Sequence, residues 1–275
     1  MLKLFTFFLL TFGVCFSFLA QRQNFFSRSE VGVSLGGMYY IGDLNQFRPY
    51  YQTNFSGGIV YRYHYHSRLT FRANFTAGKV EAYDSESKIE MNRNRNLQFI
   101  SPIREVAAGI EFHYTPFQIG SKRHPATAYI LAQVGGFSMD PFVYYDEVEK
   151  LNLRKLGTEG QGSALGGRRY SKYQFCIPLG LGFKMSLGKV ATFNIDMAIR
   201  KTFTDYLDDV GADYYVDPTA LAAVNGTEAA YYSNRSLDGS RFGRRGNSTT
   251  KDWYVYTGGM ITIRLGRGRE CSEPR

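Results

Sequence analysis

Phe175-Cys176-Ile177-Pro178-Leu179-Gly180-Leu181-Gly182-Phe183-Lys184-Met185-Ser186-Leu187 alternates between apolar residues and small or polar ones along its whole length. Successive side chains of a strand point to opposite faces, so the odd-numbered residues form one greasy face and the even-numbered ones a second, mixed face. Strands in soluble sheets are usually about 5–6 residues long. A strand that crosses a bilayer at a tilt needs about 9–11. Gly188 and Lys189 supply a tight turn, and Ala191, Phe193, Ile195, Met197 and Ile199 then oppose Thr192, Asn194, Asp196, Ala198 and Arg200. Two long strands with so short a connection form a hairpin.

The same period recurs outward in both directions. Gly57, Ile59, Tyr61 and Tyr63 alternate with Val60, Arg62 and His64; after His66-Ser67, Leu69, Phe71, Ala73, Phe75 and Ala77 alternate with Thr70, Arg72, Asn74 and Thr76. Val106 to Tyr114 and Ala128 to Val134 form a looser pair across Thr115–Pro125, and Val31–Tyr39 and Trp253–Leu265 supply the first and last strands. The expected fold is all-β: an eight-stranded antiparallel transmembrane barrel over residues 21–265, its even strand count allowing the ring to close. Links near 66–67, 115–125 and 188–189 are short, whereas those near 40–53, 80–102, 138–172 and 202–252 are long. Short turns on one side and long loops on the other are the pattern of an outer-membrane barrel, with both chain ends periplasmic and the loops extracellular. A soluble sandwich or lipocalin-like barrel also alternates, with its apolar face inward. Strand length, glycine on both faces and abundant tyrosine favour lipid on the outside.

The N-terminus fits export. Lys3 precedes an apolar run from Leu4 to Leu19 closed by Ala20, the layout of a signal peptide over residues 1–20. Phe12-Gly13-Val14 before Cys15 is a poor lipobox. No later stretch is long and apolar enough for a helical span. The chain carries 21 Tyr, 22 Phe and 29 Gly, with a formal charge of +9. Removal of Lys3 leaves +8. Residues 266–275 form a periplasmic tail.

With lipid outside, the polar face becomes the lumen and gathers Arg62, Arg72, Glu105, Glu111, Lys184, Asp196, Arg200 and Arg264. Buried charges need partners, so these are expected to pair into a network that plugs a barrel too narrow for a wide pore.

Other chemistry is weakly signalled. Asp205, Asp208 and Asp209 are close enough to suggest Ca²⁺, but the EF-hand spacing is missing, and a structured loop base is the simpler reading. Asp43 in Gly42-Asp43-Leu44-Asn45 reads as a turn. His64, His66, His113 and His124 lack the clustering that zinc requires, and Gly-x-Ser-x-Gly is absent. No cofactor and no metal is expected. Basic clusters at Arg168-Arg169, Arg241–Arg245 and Arg264–Arg269 suit anionic lipid or lipopolysaccharide better than nucleic acid once the protein is exported.

Two segments carry a family likeness. Tyr40-Ile41-Gly42-Asp43-Leu44-Asn45 follows the first strand, and Arg200-Lys201-Thr202-Phe203-Thr204-Asp205-Tyr206-Leu207-Asp208-Asp209-Val210 follows the seventh. In that order they resemble the DUF6089 family of Bacteroidetes outer-membrane barrels, which includes the PorG-like proteins of the type IX secretion system. The resemblance implies a non-enzymatic barrel that anchors or positions the periplasmic ring of PorK/PorN, called GldK/GldN in gliding bacteria. Lys122, Arg123, Lys189, Arg267 and Arg269 are the candidate contacts with a ring lipoprotein. The competing expectations are a structural or adhesin-like barrel acting through loops 138–172 and 202–252, and, more remotely, a barrel enzyme or small channel.

Overall fold

The computed structural model describes residues 28–46, 48–145, 148–241 and 243–266. The expected signal peptide, Cys15, Cys271, Arg267 and Arg269 lie outside these residues.

Ten strands follow one another: β1 (Ser29–Ile41), β2 (Asn54–His66), β3 (Leu69–Tyr83), β4 (Gln98–His113), β5 (Ala126–Ser138), β6 (Phe142–Tyr145), β7 (Glu149–Asn152), β8 (Tyr173–Leu187), β9 (Ala191–Thr202) and β10 (Trp253–Arg264). Eight form a closed antiparallel ring in the order β1, β2, β3, β4, β5, β8, β9, β10, with β10 pairing back onto β1. The other two, β6 and β7, form a hairpin outside the ring that touches β4 where Ile100 faces Phe142. Alternation alone misses this hairpin, and it also stops short on β3 and β4. Those strands run on to Tyr83 and back from Gln98, so the loop expected over 80–102 shrinks to 84–97.

Register fixes the geometry of the ring. A path perpendicular to the strands runs from Leu187 through Ala191, Ile263, Val31, Tyr61, Ala73 and Ala108 to Val134. It returns to β8 at the level of Ile177, ten residues from where it began, between the pairs Ala132↔Leu179 and Gly135↔Cys176. A stagger of this size over eight strands gives a narrow barrel whose strands lean at about 35–45°.

The wall is inside out relative to a soluble protein. Phe55, Phe175 and Leu181 are 75 %, 72 % and 67 % exposed, and they belong to a continuous outward band with Val33, Leu35, Ile59, Val106, Ile130, Val134, Ile195 and Ile261. An apolar surface that encircles the molecule far exceeds the patches a soluble monomer leaves bare. The inward face, in contrast, buries Arg62, Arg72, Glu105, Glu111, Lys184, Asp196 and Arg200. This is the distribution of a membrane-spanning barrel.

Candidate functional site

Three stacked layers fill the barrel. In the middle, Glu111 on β4 accepts from Arg62 Nε (2.8 Å) and Arg72 Nη1 (3.3 Å) on one oxygen and from Lys184 Nζ (2.5 Å) on the other. Arg72 Nη1 also meets Asp196 Oδ2 at 2.5 Å. Nearer the long loops, Arg200 donates to Glu105 at 3.1 Å, and Tyr254 Oη donates to the same carboxylate at 2.7 Å. Nearer the short turns, Glu30 pairs with His64 and accepts from Thr262 and Thr192. Four cations, Arg62, Arg72, Lys184 and Arg200, thus face four carboxylates, Glu30, Glu105, Glu111 and Asp196. Tyr129 spans the same layer, and Gly182 makes room for it: a Cβ there would sit 2.3 Å from the Tyr129 ring.

Of the residues that the polar face singled out, Arg264 stands apart. Its Nη2 donates to the carbonyls of Ile119 (2.8 Å) and Lys189 (2.7 Å), so it ties two short turns together at the mouth. Sequence reasoning missed Glu30, His64, His113, Tyr129 and Tyr254 as partners of the network. Their inward parity was legible, but Glu30 lies before the marked start of the first strand.

Both mouths are closed. At the short-turn end the segment 115–125 folds across the opening. Phe117 is buried with its ring 5.9 Å from His113 and 5.4 Å from Lys184 Nζ, and Gly120 N donates to Ser186 Oγ at 2.8 Å. Lys122 and Arg123 are exposed on this segment, and Lys189 is exposed on the neighbouring turn.

At the long-loop end the loops make a cap with its own apolar core, in which Met38, Phe99, Phe137 and Tyr256 of the strands pack with Leu44, Val143, Leu153, Leu207, Val210 and Tyr232 of the loops. The two family-like segments meet inside it. Tyr40 Oη lies 2.6 Å from Asp208 Oδ2 and 2.8 Å from Asp252 Oδ1. Leu207 N donates to Asp252 Oδ2 at 2.9 Å, and Asn247 N donates to Asp43 Oδ2 at 2.9 Å. Asn45 Nδ2 caps the carbonyl of Tyr40 at 2.6 Å, and Gly42 and Asn45 bond each other's backbones. A Cβ on Gly42 would collide with Tyr40 Oη and Asp252 Oδ1. Thr204 accepts from Tyr206 N, and the Tyr206 ring stacks on Tyr170 at 4.6 Å. Asp209 accepts from Tyr170 Oη (2.6 Å) and from Thr158.

Two buried arginines stitch these pieces together. Arg95 binds Asp84 through two nitrogens and reaches the carbonyls of Asp43 and Arg245, while Arg245 pairs with Glu159 and reaches the carbonyl of Asp209.

Burial, the largest influence on each, pushes the Asp208 and Asp252 carboxyls well above the ordinary range; Asp252 and Asp43 push Asp208 further, and Asp205 and Asp43 do the same to Asp252. Burial raises Asp43 as well, and carries Asp205 and Asp209 up to about 7 despite Lys251 and Arg245 beside them. Tyr40 Oη has one proton to share between the Asp208 and Asp252 carboxylates, and their burial favours the protonated form of the pair. Among the described residues no group of three or more His, Cys, Asp or Glu is placed to hold a metal ion. In the acidic segment 204–209, Asp208 accepts from Tyr40 Oη and Val210 N, Asp209 from Tyr170 Oη and Thr158, and Asp205 lies 3.5 Å from Lys251 Nζ.

The sequence profile of the family described as "Domain of unknown function (DUF6089)" matches residues 6–272. No curated protein matches the chain. Among solved structures, Neisserial surface protein A is similar at 9 % identity over 86 % of this chain and 97 % of that one, with a TM-score of 0.43. Ail of Yersinia pestis, in complex with the heparin analogue sucrose octasulfate, is similar at 11 % identity over 86 % and 95 %, TM-score 0.38. The N-terminal β-barrel domain of Pseudomonas aeruginosa OprF is similar at 7 % identity over 86 % and 98 %, TM-score 0.36.

Proposed function

The chain belongs to the DUF6089 family, and from that membership we propose that it is a non-enzymatic outer-membrane scaffold, a PorG-like barrel that positions the periplasmic PorK/PorN (GldK/GldN) ring of the type IX secretion and gliding machinery. The observation that carries the scaffold reading is the closed lumen. Charge-balanced side chains fill its middle, Phe117 covers one mouth and the cap covers the other. With no passage for cargo, the working surfaces are the two ends and the wall. The first strand begins and the last ends at the short-turn mouth, since Glu30 faces Arg264. After export by the signal peptide that end lies in the periplasm, and the long-loop cap lies outside the cell. Lys122, Arg123 and Lys189 then look toward the periplasm and steer an acidic lipoprotein surface; Arg267 and Arg269, outside the described residues, are further candidate contacts.

A photocrosslinker at Lys122 in intact cells tests this. Adducts with a ring lipoprotein are expected, whereas a probe at Tyr214 on the cap should give none. Efficient labelling at Tyr214 with no lipoprotein adduct from Lys122 or Arg267 would sink the ring assignment. A second reading, a binding barrel that works through its loops, is favoured by one observation: the cap is a packed unit with buried arginines, unlike a set of loose loops.

A further inference from the structure

The outer wall changes character at one level. After each strand is corrected for its share of the stagger, about 1.25 residues, Lys79 on β3, Arg104 on β4 and Lys201 on β9 stand within about one residue's rise of each other, together with the half-buried Trp253 of β10. Below this level the outward positions of β3 and β4 are Ala77, Phe75, Ala73 and Phe71 facing Arg104, Val106, Ala108 and Ile110. The apolar band ends here, where acyl chains give way to headgroups.

On β3 and β4 the two cations are diagonal neighbours, since Lys79 faces Pro102 and Ala77 faces Arg104. Lys79 Nζ lies 3.1 Å from Glu81 Oε2, which fixes the ammonium and leaves further donors open. Arg104 is exposed and has no carboxylate partner among the described residues. Two to four residue pairs further from the band, beyond Glu81, a cavity of about 270 Å³ opens between the strand pair and the outlying hairpin, lined by Tyr83, Gln98, Phe99, Ile100, Val143 and Tyr144. We propose that this face is a docking site for the phosphorylated headgroup of a membrane lipid. Arg104 and Lys79 hold the phosphate, and the cavity above them receives the rest of the headgroup. The planar fork of an arginine matches phosphate oxygens two at a time. A ligand tethered in the bilayer arrives with its phosphate already at this level. The aromatic and amide lining of the cavity suits a ring-shaped polar moiety more than a chain end. The inference rests on the membrane placement proposed above.

The test uses the full mature barrel in phosphatidylcholine vesicles doped with diphosphoryl lipid A, with retained lipid counted by native mass spectrometry. The unmodified protein should keep lipid A in preference to phosphatidylcholine. Lys79→Gln with Arg104→Gln should lose about tenfold in retention, Arg104→Lys should fall between, and Tyr144→Ala should weaken retention by altering the cavity alone. Lys201→Gln, a cation at the same level on another strand, should change nothing. Equal losses from Lys201→Gln and Arg104→Gln would reduce the site to a diffuse basic belt and overturn the proposal. So would complete displacement by millimolar inorganic phosphate, which marks a bare anion site. The substituted side chains are exposed, and folding is checked independently by heat-modifiable gel migration. A protein that folds but never inserts into vesicles sinks the membrane placement itself, and this is read separately from lipid retention.

Discussion

At the residue scale the protein depends on Glu111. Its two oxygens accept from three buried cations, and two of them, Arg62 and Lys184, bridge to no other carboxylate among the described residues, whereas Arg72 keeps Asp196. The cost of losing the carboxylate is therefore larger than the cost of losing any one partner. Glu111→Ala is expected to destabilise the barrel by about 3–5 kcal/mol, whereas Lys184→Met should cost clearly less, because Arg62 and Arg72 still hold the carboxylate. Reversible urea unfolding in lipid vesicles measures both. A Glu111→Ala loss below about 1 kcal/mol, the scale of a surface pair, would show that water enters the lumen freely and that the charges do not depend on one another. Arg264 illustrates a limit of parity. It sits on the inward face as its position in the alternation requires, yet at the strand's end the nearest acceptors are turn carbonyls.

At the scale of elements, the cap is where the sequence reading ran out. Period-2 alternation locates strands because burial on one face repeats every second residue, and it carries no such repeat through 139–172 or 203–252. The residues that knit the cap, Arg95 with Asp84, Arg245 with Glu159 and Tyr40 with Asp252, are separated by 11, 86 and 212 positions, spacings that no local repeat marks. The segments at 40–45 and 200–210 were nevertheless legible as a pair, and the structure gives the physical reason: both insert into the same buried junction. That junction should respond to pH. Asp205 and Asp209, at about 7 in the folded cap against the usual value near 4 when unfolded, bind more protons folded than unfolded between those limits. Asp208 and Asp252 shift the same way. Cap stability then falls as pH rises through that window, opposite in sign to a carboxylate held down by a cation. Limited proteolysis of residues 203–252 should be slow near pH 5.5 and faster near pH 8. Equal rates, or faster cutting in acid, would mean that these carboxyls are ionised and paired in the native cap.

At the scale of the whole molecule, closure and orientation of faces were readable from Phe175 to Leu187 outward, because one strand period and one membrane thickness admit few arrangements. The ten-residue stagger and the filling of both mouths were not, since each depends on register between strands and on a turn, 115–125, whose inward fold comes from two buried apolar residues, Phe117 and Ile119, in an otherwise polar segment. Filling decides function. A lumen whose charged side chains are bridged across its width leaves a permeating ion no open path, and Phe117 blocks the exit toward the short turns. Planar-bilayer recordings of the purified barrel should therefore show no steady conductance at neutral pH. Opening one end should not suffice: Phe117→Gly, alone or combined with Arg62→Ser and Arg72→Ser, should still give no persistent current, because the Arg200–Glu105 layer and the packed cap close the other mouth. A sizeable conductance in the unmodified protein would contradict the closed lumen and, with it, the scaffold role proposed from it.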